Sequence, residues 1–508
     1  MTATAPQEAP AAVLEVSAGR MEAQAAALLA ADPTLHLVDL TAVGGASPDP
    51  RFRAVYQLRS AAGNRTRLTA AGTGELPGLA HVWPAADWPE REMAGRFGMH
   101  IGGREDLRPL FSASQAMVPG EMPPARPEGE VPIHDPAQAT PFRLDLGARL
   151  RGSRIETAEA RPGRLHSGFE RLAEGRTWAQ LPVLAESLNE QSPFTPGLAA
   201  VLAVEALLGI TPPARCTWVR MLLAEISRVG AHCAWLANLV GPDSALWGQA
   251  LTARESAARF LAASSGSRWA TGTQRIGGIA ADVPAGARRL LADLGGAVDR
   301  LRSDALRSTV DHRHWRRRFS GAGVLDAAEA LGAGATGPVA RAAGIDLDVR
   351  RTDPYLAYGE VRFGVPTADS GDVVDRTRVR LEEMGESLSI ARQCVTGAPG
   401  GPTLAHETPR PTERYTEPAE LIDHFGRWMD GHGYRPGRPD IYLPIESADG
   451  ELAFYLVSDG TGGPARVHLR SPSLYHFRLL PALLAGLGYD QAPQVVASLN
   501  VIASEMDR

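Results

Sequence analysis

The chain has 508 residues, 44% hydrophobic and 22% charged, with a formal net charge of −6. This is the profile of a soluble globular protein long enough for two or three domains, and it excludes the strongly basic domain of a typical nucleic-acid binder. The basic residues are all arginine, so no lysine amine exists for Schiff-base chemistry or a phosphate-binding loop.

Residues 1–15 predict a disordered N-terminus, without the basic-then-apolar order of a signal peptide. From 16 to 111 short helical and strand patterns alternate. The β-rich stretches "HLVDLTAV", "RAVYQLRS" and "RTRLTAAG" predict a small α/β domain. Residues 112–136 hold six prolines among glycines and charges, which predicts a linker with no regular element. The remainder, 137–508, predicts a larger domain. "FRLDLGARLRGSRIETAEAR" alternates like one or two strands, and from His166 the pattern turns helical.

Residues 216–240 place Val219, Leu222, Leu223, Ile226, Val229 and Leu236 on one apolar face. Glu225, Arg228 and His232 recur at i, i+3, i+7 and share a polar stripe. A second helix over 376–394 aligns Leu381, Met384, Leu388 and Ala391, and 197–310 predicts a helical bundle. "ELAFYLVSDG" and "ARVHLRSPS" read as a strand pair joined by the turn "SDGTGG", followed by a helix over 475–487 and another before the end. The fold class is therefore α+β: a small α/β N-terminal domain, then a helical bundle with peripheral β-hairpins.

The longest apolar run, "GLAAVLAVEALLGI", is interrupted by Glu205 and is too short to span a bilayer, so membrane association is expected to be peripheral. Cys216, Cys233 and Cys394 stand singly, with no CxxC pair. Neither a disulfide framework nor a Cys-ligated cluster is expected, and core positions are the simplest reading.

Two blocks carry a family resemblance. "HVWPAADWPEREMAGRFGMHIGGREDLRPLF" (81–111) resembles the signature of the C-type subunit of NADH:quinone oxidoreductase, respiratory complex I, with Gly95 where that family usually has an acid. "HSGFERLAEGRT", "LAVEALLGITPPAR", "LLAEISRVGAHCAWL", "RIGGIAADVP", "DPYLAYGEVRFGVPTADSGDVVDRTRVRLEEMGESLSIARQ" and "GELAFYLVSDGTGGPARVHLRSPS" follow in the order of its D-type subunit, as does the ending "SLNVIASEMDR". The resemblance covers about 80–508 and implies a fused C/D chain. The nickel–iron hydrogenase large subunit shares this ancestry but needs two cysteine pairs for its metal. Here the first pair is replaced by "LNEQS" (188–192) and the end has none, so no metal site is expected.

The resemblance implies a peripheral-arm subunit on the cytoplasmic side of the cell membrane. It would form the quinone-cavity side of an interface with an iron–sulfur B-type subunit that holds a [4Fe–4S] cluster. A ferredoxin-like I-type subunit and a membrane H-type subunit are further implied partners, and NADH binding belongs to another subunit. No cofactor is expected on this chain alone.

The same resemblance implies that the quinone site is altered. The proton-donating histidine of the family's H-P-x-x-H-G loop falls at Ala139, with His134 nearby as a substitute. The family tyrosine falls at Glu190, a carboxyl that could handle protons if burial raised its pKa. The orienting aspartate falls near Val240, with Asp243 displaced. The histidine before R-P-G-G falls at Ala270, and the arginine after the entry histidine is Ser167.

His166 and Arg275 remain as cluster-facing candidates. The simpler readings are a helix-entry residue bonded to backbone for His166 and a tight turn for "RIGG". For Glu225, Arg228 and His232, a buried polar tie between helices stands beside proton relay. "PAADWPERE" reads as an interface element anchored by Trp83 and Trp88. Two further readings are a non-catalytic scaffold or assembly subunit of a complex I- or membrane-hydrogenase-related complex, and a subunit serving another electron carrier.

Overall fold

The computed structural model describes residues 11–44, 52–104, 106, 108–111, 127–134, 136, 144–405, 417–419, 421–422, 425 and 433–508. The first sheet comprises β1 (Ala11–Ser17), β2 (His36–Gly44), β3 (Phe52–Arg59) and β4 (Arg65–Gly72), with α1 (Met21–Ala31) between β1 and β2. Its order is β1-β4-β3-β2, with β1 parallel to β4 and the other pairs antiparallel. The predicted disorder of residues 1–15 is thus corrected from Ala11 onward. The apolar alternation of "AAVLEVS" is short, but it completes the edge of the sheet. β5 (Glu75–Pro77) pairs in parallel with β6 (His100–Gly102), and α2 (Asp87–Phe97) connects them. Gly98, at φ +64°, ends α2 in the left-handed conformation that a side chain would oppose.

The stretch read as an unstructured linker contains a strand. β7 (Glu130–Pro132) pairs antiparallel with β8 (Asp145–Arg151), and β8 with β9 (Arg154–Arg161). Pro132 is tolerated because β7 is an edge strand. Helices α3 (Phe169–Glu174) and α4 (Leu181–Ala185) lead to α5 (Phe194–Leu208), which is apolar nearly all round and buried along almost its whole length.

α6 (Ala214–Val240) is 27 residues long, about 40 Å. It packs on α7 (Ala245–Ser265) and α13 (Val373–Gly397), while α8 (Ala287–Ser308) packs on α7 and α13 to close the bundle. Between α7 and α8 lies the two-residue ribbon β10 (Gln274–Arg275) and β11 (Gly278–Ile279). The short helices α9 (Arg313–Phe319), α10 (Ala327–Gly332), α11 (Gly337–Ala342) and α12 (Val349–Thr352) precede α13. β12 (Asp440–Glu446), β13 (Glu451–Val457) and β14 (Arg466–Arg470) form an antiparallel sheet. Helices Pro472–Leu484, Ala492–Leu499 and Ala503–Met506 follow.

The two sheets lie against each other through a polar seam. Arg59 and Arg65 reach Glu451 at 3.0 and 3.1 Å, Arg65 reaches Asp353 at 2.9 Å, and Arg67 reaches Asp440 at 3.2 Å. These arginines are buried, although arginine is among the residues most often exposed. Trp83 and Trp88 are also internal. The Trp83 indole donates to Leu35 O (3.3 Å), and Trp88 meets Phe477 edge-on at 6.1 Å. The interface that these two anchor therefore lies within the chain. No helix of the described residues is long and apolar enough to cross a membrane.

Candidate functional site

The loop "LNEQS" lies against the C-terminal segment. Asn189 Oδ1 accepts from the backbone N–H groups of Gln191 (3.0 Å) and Ser192 (2.9 Å), which turns the chain into α5. Asn189 Nδ2 donates to Glu505 Oε2 at 3.1 Å, and Gln191 Nε2 donates to Asn500 Oδ1 at 3.3 Å. Glu190 is exposed, and its Oε2 accepts from the Ser504 hydroxyl at 2.7 Å. Glu505 is fully buried, and its Oε1 accepts from Ser471 Oγ (2.8 Å) and Ser473 Oγ (3.2 Å). Burial and the neighbouring Asp449 push the Glu505 carboxyl up to about 7, against the pull of these neutral donors.

His134 follows β7 and is half-buried. Residues 135 and 137–143, including Ala139, lie outside the described residues. The stem of this loop reaches the end of α6: a Cβ built on Gly241 would stand 3.4 Å from Pro136 O. Asp243, just beyond, is exposed.

His166 meets the same C-terminal segment at its last residues. Its Nδ1 lies 3.0 Å from the Asp507 carbonyl, and its ring stacks on Phe111 at 5.0 Å and 6°. The Asp507 carboxylate accepts from the backbone N–H groups of Gly163 (2.7 Å) and Leu165 (2.8 Å), while burial pushes it up to about 7. His166, Phe97, Arg171 and Gly95 line a cleft of about 490 Å³ between the N-terminal part and the rest. At Gly95, where the resemblance places an acid, a Cβ would meet Pro109 at 3.5 Å.

Under this cleft Glu170 receives Arg466 (2.7 Å), Arg508 (3.0 Å), Arg96 (3.1 Å) and His468 Nδ1 (3.0 Å). His468 Nε2 is 3.2 Å from Asp39, and burial is outweighed by the two carboxylates, which raise the ring's pKa. Glu92, Glu170 and His468 converge closely enough to share an ion, but the guanidinium groups of Arg96, Arg466 and Arg508 around them oppose a cation there.

Glu225, Arg228 and His232 are brought together with residues from five other elements. Glu225 is 3.2 Å from Arg350 and accepts from the Tyr358 hydroxyl at 2.5 Å. Arg228 donates to the carbonyls of Glu446 (2.6 Å) and Ser447 (2.5 Å). His232 Nε2 lies 3.0 Å from Glu383, and Arg341 bridges Glu383 (2.6 Å) and Glu446 (2.8 Å). Asp348 pairs with Arg350 at 2.7 Å; burial raises its pKa, but Arg350 and Arg341 bring it down to about 2.

In this cluster four carboxylates (225, 348, 383, 446) face three guanidinium groups (228, 341, 350). Burial lowers the pKa of His232, and burial with Asp348 raises that of Glu446. Arg275 stands apart and exposed, its guanidinium folded onto the carbonyls of Gly272 and Gln274, both at 2.8 Å.

Glu505 escaped sequence reasoning because nothing in "SEMDR" distinguishes a buried acid. The α13 partners carried a signal that was passed over: Arg376, Arg380, Glu383 and Ser387 recur at i, i+4, i+7, i+11, a polar stripe like that of α6.

The family described as "Respiratory-chain NADH dehydrogenase, 49 Kd subunit" matches residues 243–508, and "Respiratory-chain NADH dehydrogenase, 30 Kd subunit" matches 14–131. The chain is 36% identical over 380 residues to a D-type NADH-quinone oxidoreductase subunit of Roseiflexus sp. (strain RS-1), covering 72% of this chain and 89% of that protein. It is 33% identical over 375 residues to the D-type subunit of Geotalea uraniireducens (strain Rf4), covering 72% and 95%. It is 29% identical over 546 residues to a C/D-type NADH-quinone oxidoreductase subunit of Aquifex aeolicus (strain VF5), covering 93% and 91%. With a 30 Kd-type sheet domain followed by a 49 Kd-type helical domain in one polypeptide, the chain belongs to the respiratory-chain NADH dehydrogenase (complex I) family as a fused C/D subunit.

Proposed function

We propose that this chain walls one side of a quinone cavity, at the interface with a B-type iron–sulfur subunit of a complex I-like assembly. In this reading Glu190 and His134 take over the proton-donating work of the family's tyrosine and histidine. The observation that carries the reading is the junction of 188–192 with 500–505. At the mapped tyrosine position an exposed carboxyl is bonded to a serine hydroxyl, next to a buried acid. Glu190 is exposed, so the burial expected from the sequence is absent, and its part is to relay protons between solvent, the buried acid and the quinone rather than to store one.

The cluster belongs to the partner in this scheme. Cys216, Cys233 and Cys394 are buried singly, and burial pushes the first two thiols up to about 12, so neither offers a thiolate at neutral pH. Arg275, exposed, and His166, at the seam cleft, are the candidates to face that cluster. An I-type subunit, an H-type membrane subunit and attachment at the cytoplasmic face of the membrane complete the assembly.

The test is quinone-reductase turnover of the purified complex. Glu190→Gln is expected to lower turnover by about tenfold or more, with a smaller loss for His134→Ala. Full, inhibitor-sensitive turnover untouched by either change would defeat the mapping. A wild-type complex with no turnover would favour the scaffold reading.

A further inference from the structure

Among the described residues, no arginine bonds to Glu505. Its three side-chain bonds come from Ser471, Ser473 and Asn189. The hydroxyl oxygens of both serines already accept backbone N–H groups, Ser471 from Ser473 and Ser473 from Ile502. Their hydrogens are therefore free to point at the carboxyl. Buried carboxylates elsewhere in the chain, such as Glu225, Glu383 and Glu451, lie against arginine.

The other groups around Glu505 are committed elsewhere. Asp449, in the β12–β13 turn, is held by Arg380 at 3.0 Å and Asn500 at 2.8 Å. His476, on the helix that carries Ser473, accepts the Thr336 N–H at 3.4 Å, and Glu186, before the 189 loop, accepts Gly272 N–H. A fully buried acid held only by neutral donors is suited to gaining and losing a proton rather than to anchoring an ion pair.

We propose that Glu505 is a proton-holding acid that serves Glu190, the two being tied to each other's neighbours by the crossed pairs Asn189–Glu505 and Ser504–Glu190. Its purpose rests on the quinone-reducing reading; the proton exchange does not. Per quinone, two electrons come from the partner's iron–sulfur centre and two protons are taken up. Glu190 gives one proton to a quinone oxygen and recovers it from Glu505, and the second comes from solvent. The reservoir refills through the exposed Glu190 carboxyl, and no covalent bond to the protein forms.

The experiment is pH-difference infrared spectroscopy of the complex, wild type against Glu505→Gln, Ser504→Ala and Glu190→Gln. Protonated-carboxyl C=O bands that titrate around neutral pH are expected from Glu186, Glu505 and Asp507, and the component lost in Glu505→Gln is the one followed. Its midpoint should move by roughly half a pH unit in Ser504→Ala and Glu190→Gln. A band unchanged in Glu505→Gln overturns the proposal, as does a midpoint indifferent to Ser504 and Glu190. Should Glu505→Gln fail to assemble, the midpoint in Ser504→Ala decides alone, since that side chain is only half-buried. In turnover, Glu505→Gln should lower kcat about tenfold with KM unchanged. A wild type that exchanges this proton but reduces no quinone would sink the functional reading and leave Glu505 as assigned.

Discussion

His232 Nε2 lies 3.0 Å from Glu383 Oε2, with both side chains sealed inside the helical bundle. Arg341 approaches the same carboxylate from α11, so Glu383 is the ionised centre of the cluster and Glu446 its weaker acid. Glu383→Gln should therefore cost about 3–5 kcal/mol by removing the buried carboxylate that Arg341 and His232 share. Glu446→Gln removes the charge from a carboxyl already raised by burial and keeps an oxygen for the Val349 N–H, so it should cost less, about 1–2 kcal/mol. Thermal unfolding at neutral pH compares the two, and equal losses would show that Glu446 is ionised.

Arg508 bridges the two halves, donating to Glu170 and Glu92, each at 3.0 Å. Arg508→Ala should loosen the grip of α2 on the larger domain at a cost of about 2–4 kcal/mol. Hydrogen exchange would show it as faster amide exchange in α2 and α3, with the α6–α13 core unchanged. Uniform protection across all of these helices would mean that the clasp is not a stabilising contact.

Stability should fall toward alkaline pH. Burial raises Glu186, Glu505 and Asp507 each to about 7. Groups raised on folding contribute stability that is fully present below about pH 4 and is lost as pH climbs through about 7. Asp348 and Glu451, each brought down to about 2 by arginine neighbours that outweigh burial, act oppositely, their contribution lost as pH falls from about 4 to 2. Glu186→Gln should flatten the alkaline fall by about 1–2 kcal/mol. Melting curves between pH 5 and 9 would test this, and an unaltered slope would contradict it.

Gly337 is in the left-handed region at φ +64°, and a Cβ there would stand 2.3 Å from Gly450 Cα. Backbone meets backbone, so neither side can yield. Gly337→Ala should cost at least about 2–3 kcal/mol, whereas Gly248→Ala, with open space around it on α7, should cost nothing measurable. Chemical denaturation midpoints would separate the pair.

Hydrophobic periodicity determined the strands β2, β3 and β4, the helices α6 and α13 and the C-terminal hairpin, because each presents a regular apolar face that can be counted locally. Motif order determined the family and the fused arrangement. β1 and β7 were missed because each is short and owes its pairing to a strand distant in the chain, Arg65–Gly72 and Asp145–Arg151 respectively.

The tertiary structure alone decided which charges are buried. Arginine is among the residues most often exposed, yet Arg59, Arg65 and Arg67 are buried where Glu451, Asp353 and Asp440 arrive from more than 280 positions away. The same holds at the candidate site. Glu190 was legible as a substitution, but Glu505, Ser504 and Asn189 meet only when the chain's end folds back onto the start of α5. Local spacing encodes which face of an element is apolar; which polar group meets which is set by long-range packing and by the cost of leaving a buried charge alone.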